Sequence, residues 1–211
     1  MPSGKELRRI AILGTGIMGR GIAQSFLMGG CHVALHDVQE AAIASARASI
    51  LQNMVLWGQA GLLGEEEIAP AMARLSQAIR LDEAVAAADF VVEAVSEDLS
   101  LKQKIFQQTE RHCGADTIIA SNTSSLSIRE IGKLVNNRRR TIITHWINPP
   151  HIIPAVEVVK GADTAEETMD ATCALLARIG KVPIRISREI PGLLINRIQI
   201  AMIREICDLY A

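Results

Sequence analysis

Aromatic side chains are scarce: three Phe, two Trp and one Tyr in 211 residues. With so few stacking platforms, and with 22 Lys and Arg against 23 Asp and Glu for a net charge of −1, the chain offers no nucleic acid a basic, aromatic-lined groove. Nucleic acid is not expected as a partner. No window approaches the roughly 18 uninterrupted apolar residues of a membrane span, and the N-terminal MPSGKELRR lacks an apolar signal core. The four cysteines, Cys31, Cys113, Cys173 and Cys207, have no C-x-x-C spacing, so neither a disulfide framework nor a zinc site is implied. These absences predict a cytoplasmic protein with reduced thiols, no metal and no membrane attachment.

What is present is apolar and segmented. Hydrophobic residues make up 49% of the chain, enough for one sizeable core and the beginning of a second. Residues 9–13 (RIAIL) form a continuous apolar run, 18–28 have helical period, and 33–35 are apolar again before Asp37. That is strand, helix, strand, the unit of a parallel sheet. Helices are expected over 39–56, 65–77, 99–111 and 128–134, and strands over 90–95, 117–120 and 141–144. The alternation predicts an α/β fold, a doubly wound, mostly parallel sheet of Rossmann type. The basic run NNRRR at 136–140 falls between a helix and a strand and reads as a solvated loop.

The strongest local signal is GTGIMG, residues 14–19, placed after a strand and at the mouth of a helix. Gly14 allows the tight turn, Gly16 lets the backbone approach a pyrophosphate, and Gly19 lets helix and strand pack closely. The helix N-terminus offers unpaired N–H groups and a positive dipole end, so Thr15, Ile17 and Met18 are also expected at the cofactor. Asp37 follows eighteen residues after Gly19, where a carboxylate accepts hydrogen bonds from an adenosine ribose and repels a 2′-phosphate. NAD is therefore expected over NADP. The bland alternative is an aspartate that merely caps the next helix.

Six motifs in register then carry a resemblance: GTGIMG with Asp37, EAVSEDLSLK (93–102), SNTSSLSI (121–128), HWINP (145–149), VEVV (156–159) and PGLLINR (191–197). In order and spacing they resemble the L-3-hydroxyacyl-CoA dehydrogenase family, through essentially the whole chain. The resemblance implies His145 as proton acceptor and Glu157 as its partner. It implies Ser124, Asn148 and Asn196 near the substrate oxygen, and Glu97, Lys102 and Asn122 at the cofactor. It further implies an NAD-binding domain over residues 1–190 and the first helix of an all-α dimerisation and substrate domain over 191–211, with a homodimer as the assembly.

The chemistry suits these residue types. Removing a hydroxyl proton while hydride leaves the carbon needs a group titrating near neutrality, which imidazole is. A neighbouring carboxylate fixes its tautomer and stabilises the imidazolium. Charge growing on the substrate oxygen calls for neutral donors, which Ser and Asn supply. Each residue also has a bland reading: His145 a satisfied core histidine, Glu157 a strand-edge charge, Asn148 a turn residue before two prolines, Asn196 a polar helix position. Of the other histidines, His32, His36, His112 and His151, none is assigned a role.

Two departures bear on the small-molecule substrate. The acyl-CoA enzymes carry a lysine-rich stretch after the ribose aspartate, whereas residues 49–67 here (SILQNMVLWGQAGLLGEEE) contain no Lys or Arg. An unpaired CoA phosphate there would be costly. HWINPPHIIPAVEVV also lacks the phenylalanines usual after the histidine, and in both respects the chain resembles the free hydroxy-acid branch, L-gulonate 3-dehydrogenase with lambda-crystallin, and carnitine dehydrogenase. SNTSSLS resembles the acyl-CoA branch instead, and Lys133 or Arg138 to Arg140 remain as sources of phosphate contacts. Acyl-CoA is the leading expectation, with the free hydroxy acid as alternative and a non-catalytic, lens-type NAD-binding protein as a third. The 3-hydroxyisobutyrate and 6-phosphogluconate dehydrogenases share G-x-G-x-M-G but use a helical lysine, and no lysine follows Lys181.

Pro191 and Gly192 are expected to open the last helix. Leu193, Leu194, Ile195, Ile198, Ile200, Met202, Ile203, Ile206 and Leu209 make it apolar around much of its circumference. Such a helix needs cover on several sides, so either the chain is a piece of a longer one or a second chain covers it.

Overall fold

Continuous apolar runs become the inner strands of one eight-stranded sheet, and the stretches of helical period cover its two faces. The computed structural model describes residues 6–210; residues 1–5, part of the segment read above for a signal core, and residue 211 lie outside the described residues. In chain order the elements are β1 (Arg9–Leu13), α1 (Ile17–Met28), β2 (His32–His36), α2 (Glu40–Gln59), α3 (Glu65–Ala73), β3 (Leu75–Ala78), α4 (Leu81–Val85) and β4 (Phe90–Glu93). There follow α5 (Leu99–His112), β5 (Ile118–Ser121), α6 (Ile128–Ile131), β6 (Thr141–Trp146), β7 (Ala155–Val159), α7 (Glu166–Arg178), β8 (Val182–Ile186) and α8 (Leu194–Tyr210).

The strand order is β3-β2-β1-β4-β5-β6-β7-β8. Strands β1 to β6 run parallel, β7 runs against β6, and β8 runs with β7. The first six reproduce the doubly wound order, in which the chain reverses its direction of winding between β1 and β4. Side-chain alternation supplies both cores. Ile10 and Ile12 meet Ile22, Phe26 and Ile43 on one face, whereas Ala11 and Leu13 meet Val85 and Val91 on the other. Farther along the sheet Ile119, Ile143 and Val159 pack on Phe106 of α5.

Three expectations need correction. The helix expected over 65–77 stops at Ala73, and Leu75–Ala78 turns into an edge strand beside β2. Its Ser76 and Gln77 face solvent, which hides it from an apolar-run reading. Strand β8 and helix α7 were not anticipated; β8 is the opposite edge, the position at which Pro183 is tolerated. The last helix begins at Leu194, because Gly192 (φ 80°) and Leu193 (φ 53°) take left-handed conformations that no right-handed helix accommodates. Helix α8 buries none of its residues, and Ile198, Met202 and Ile206 are all more than half exposed. Among the described residues no helix is long and apolar enough to cross a membrane, and no group of three or more His, Cys, Asp or Glu is placed to hold a metal ion.

Candidate active site

The loops after β1, β2, β4 and β5 and the end of β6 meet at one edge of the sheet, at the reversal point where open α/β sheets bind ligands. Gly14 turns there at φ 95°, and a Cβ on it would lie 2.7 Å from the Ala94 carbonyl oxygen. A Cβ on Gly19 would lie 1.9 Å from the Gly14 oxygen, so helix and turn are in contact. Gly16 is different. It is the N-cap of α1, no side chain caps the helix there, and nothing stands within 4 Å of where its Cβ would be. The first amides of α1 thus face an open, positively polarised cradle of the kind that receives a diphosphate.

Gly16 and Gly19 predict opposite mutant phenotypes. Gly16→Ala puts a methyl into the cradle and is expected to weaken NADH binding by about tenfold or more, with stability changed by no more than about 1 kcal/mol. Gly19→Ala is expected to destabilise the fold by about 1–3 kcal/mol through overpacking. Fluorescence titration with NADH and thermal denaturation separate the two; a Gly16→Ala protein that binds NADH normally would remove the cradle.

Asp37 closes β2 beside this turn. Its Oδ2 accepts from the Thr15 N–H (2.9 Å) and hydroxyl (3.0 Å), and its Oδ1 from the Gln39 N–H (3.2 Å). Burial pushes its pKa up, but these hydrogen bonds outweigh that and hold the carboxyl below its ordinary value. The aspartate is therefore a fixed anion beside the glycine turn.

His145 and Glu157, twelve residues apart in the chain, are direct register partners across the antiparallel pair β6–β7. Opposite residues of such a pair share a face, with Cβ atoms about 5 Å apart. Their side chains meet at 2.6 Å, His145 Nδ1 to Glu157 Oε2, with both residues buried. The other oxygen, Oε1, accepts from the Leu194 N–H (2.7 Å) and the Ile195 N–H (3.0 Å), the first amides of α8. Burial raises the Glu157 pKa, but the bond from His145 and the two amides prevail and lower it. An ionised Glu157 requires the proton on Nδ1, which leaves the lone pair on Nε2.

The remaining candidates separate into two groups. Asn196 on α8 donates from Nδ2 to the Ser124 carbonyl (3.2 Å), so these two are brought together, and exposed Asn148 stands in the turn after β6. Glu97, Lys102 and Asn122 serve the loops. Glu97 Oε1 accepts from the Thr123 hydroxyl, the Ser124 N–H (3.2 Å) and the Ser125 hydroxyl (3.1 Å). Burial raises the pKa of Glu97, but these bonds and Lys102 more than offset that and lower it. Asn122 accepts at Oδ1 from the Trp146 N–H (3.0 Å), tying β5 to β6.

Lys102 is only 1% exposed, and its ammonium donates to Glu93 (2.7 Å), Glu97 (3.1 Å) and the Val95 carbonyl (3.4 Å). As placed, all three donors meet protein oxygens, and the lysine supports the loop after β4 rather than reaching outward. The buried Glu93, which also accepts from Ser121 (2.6 Å) and the Val95 N–H (2.8 Å), was not anticipated. A carboxylate ending the apolar run FVVE, with a lysine nine residues on, was the available signal.

Some residues fall away from the site. Trp146 follows His145 and so points to the opposite face of the sheet, where it is 2% exposed and edge-on to Phe26 at 5.6 Å. Arg138 to Arg140 precede β6, at the opposite sheet edge, and the nearest of them, Arg140, is about 17 Å from His145 at the rise of a strand. Arg140 is buried, donating to the Gly114 (2.7 Å) and Thr117 (3.2 Å) carbonyls, and Arg138 donates to that of Lys133 (3.0 Å). The basic run is therefore a fastening of the far edge.

Residues 9–190 match the family model described as "3-hydroxyacyl-CoA dehydrogenase, NAD binding domain". The human lambda-crystallin homolog is 36% identical over 197 residues, covering 93% of this chain and 62% of that protein. The 5-formyl-3-hydroxy-2-methylpyridine 4-carboxylate 5-dehydrogenase of Mesorhizobium japonicum is 35% identical over 204 residues, 96% of this chain and 65% of that protein. The chain thus spans under two thirds of the length of these two relatives. The crystal structure of (S)-3-hydroxybutyryl-CoA dehydrogenase from Ralstonia eutropha superposes with a TM-score of 0.91 at 35% identity, over 95% of this chain and 70% of that one. With its doubly wound sheet, its glycine cradle and a family match running from β1 to the residues before α8, the chain belongs to the 3-hydroxyacyl-CoA dehydrogenase family.

Proposed function

We propose that the chain carries the cofactor-binding and catalytic residues of a dehydrogenase that oxidises the 3-hydroxyl of an L-3-hydroxyacyl-CoA to the 3-ketoacyl-CoA. The observation that supports this most is the buried His145–Glu157 pair at the sheet edge that also holds the open cradle at Gly16. The residues fit NAD: the amides of the turn from Gly14 to Gly19 for the diphosphate, and Asp37 for the ribose. When bound, NAD supplies the acceptor for the hydride leaving the substrate carbon.

The chain's own residues supply the rest. His145 Nε2 takes the hydroxyl proton, and Glu157 stabilises the imidazolium at Nδ1. Ser124, Asn148 and Asn196 donate to the substrate oxygen. Glu97, held by Lys102, keeps the loop of Ser124 in place. Residues 1–190 form the NAD-binding part and 191–211 the start of a helical part, whose exposed apolar face supports a homodimer through α8. The scattered cysteines support a cytoplasmic setting.

A second reading, a free 3-hydroxy acid of the L-gulonate or carnitine type, is favoured by one specific observation. Arg138 to Arg140 stand at the far sheet edge, and residues 49–67 hold no cation, so neither offers a partner to a CoA phosphate beside the site. Initial rates of NADH oxidation with acetoacetyl-CoA, and of NAD reduction with L-gulonate and L-carnitine, distinguish the readings. Turnover of acetoacetyl-CoA is expected, and activity on the free acids alone would overturn the CoA assignment. NADH binding without turnover of any of them would favour a structural protein.

A further inference from the structure

The turn that joins β6 to β7, NPPHIIP at 148–154, is built largely of residues that cannot hold it together. Pro149, Pro150 and Pro154 have no N–H. Two of the amides present, Ile152 and Ile153, both donate to the Pro149 carbonyl (3.0 and 2.9 Å). The carbonyls of Pro150 and Ile153 therefore need donors from outside the turn. Lys181, which immediately precedes β8, provides them: its Nζ lies 2.7 Å from the Pro150 oxygen and 3.1 Å from the Ile153 oxygen.

This lysine is 9% exposed, and no carboxylate among the described residues pairs with it. Burial lowers its pKa. An ammonium buried without a counter-ion is costly and persists only where dipoles replace the water it loses. Here the two carbonyls do so, together with the Trp146 ring, whose centroid is 5.6 Å from Nζ. Ser25 on α1 adds a second donor to the Pro150 carbonyl (3.2 Å), and the Val182 N–H donates to the Pro154 carbonyl (2.9 Å). The turn is thus pinned to α1 and β8 on the side of the sheet away from His145, while its first residue is Asn148.

We propose that Lys181 is a positioning residue of this dehydrogenase: its buried ammonium clamps the turn 148–154 and so fixes Asn148 relative to the base His145. The proposal rests on the functional reading above, and its test includes a measurement that does not. Lys181→Met keeps the apolar stem and removes the charge and all donors; Lys181→Gln keeps a donor without charge and serves if the methionine protein does not fold. Loss of a charge-assisted bond corresponds to about tenfold or more in local opening.

Amide exchange at Ile152 and Ile153 is therefore expected to quicken by about tenfold or more, while amides of β1 and β4 are unchanged. With whichever substrate is turned over, kcat is expected to fall by about tenfold, with KM and the NADH dissociation constant within about twofold. Unchanged exchange at the turn, or faster exchange across the whole sheet with loss of NADH binding, would overturn the clamp. If the unaltered chain turns over no substrate, the functional reading fails, and the exchange data alone decide whether Lys181 holds the turn.

Discussion

The His145→Ala protein is expected to bind NADH within about twofold of the unaltered chain and to turn substrate over about 10²–10⁴ times more slowly, the usual contribution of a general acid–base group. The separation of the two effects follows from the layout. The cradle is assembled by turns after β1 and β2, whereas His145 is the penultimate residue of β6, on the far side of β4 and β5. Among the described residues no hydrogen bond or ion pair links the imidazole to the glycine turn; its partner is Glu157. The substitution leaves a buried carboxylate short of one donor, at a cost of about 1–3 kcal/mol, but the amides of Leu194 and Ile195 still hold its other oxygen. The folded protein is therefore expected to survive for titration with NADH beside steady-state assays. Turnover close to that of the unaltered chain would remove His145 as the base.

Glu157→Gln is expected to be at least as damaging, for a reason that concerns protons rather than contacts. The carboxylate accepts on both oxygens, from His145 on one and from the amides of Leu194 and Ile195 on the other. A glutamine has one acceptor oxygen. If that oxygen serves the two helix amides, its NH₂ faces His145 Nδ1, which must then accept and shift the ring proton to Nε2. The base would be blocked by its own proton, a wrong-tautomer loss of about 10⁴-fold. If the amide is reversed, NH₂ faces the N–H groups of α8 and that end of the helix detaches, carrying Asn196 away from Ser124.

The same substitution reads out in stability. The native pKa of Glu157 is lowered from the ordinary 4.5, so between its two values the unfolded chain binds the extra proton. Its stabilising contribution is present above about pH 4.5 and is lost as pH falls through the native value. Urea unfolding at pH 7 and pH 4 is expected to show a smaller acid loss for Glu157→Gln than for the unaltered chain. Equal acid losses would show that this carboxylate does not carry the linkage.

How far these features were legible depends on what sits around each segment. Strands β1, β4, β5 and β6 are buried on both faces, so they advertise themselves as aliphatic runs. The edges do not: β3 shows Ser76 and Gln77 to water, and β8 carries Pro183 and exposed Arg185. Residue types matched to motifs single out His145, Glu157, Ser124 and Asn196, and the structure brings them together in two contacting pairs. Burial was not readable in the same way. Lys102 reads from sequence as a cation for a cofactor, yet three protein oxygens surround it. Trp146 adjoins His145 in HWINP, but one step along a strand reverses the face. The bonds that the Leu194 and Ile195 amides donate to Glu157 come directly after left-handed Gly192 and Leu193, and no periodicity signals a leucine at positive φ.

The reversal of direction at β7 has a consequence for what the chain must give up to assemble its site. Closing a loop costs entropy that grows with the logarithm of its length. His145 and Glu157 face each other across twelve residues, while the ends of β1 and β4 beside the glycine turn come together across about eighty, where the Ala94 N–H donates to the Leu13 carbonyl. The difference is about 1.7 kcal/mol in favour of the dyad on the loop-length term alone. Within this fold the His145–Glu157 pair is a short-range assembly, almost a hairpin, set beside a glycine turn whose neighbour across the sheet, Ala94, lies eighty residues along the chain.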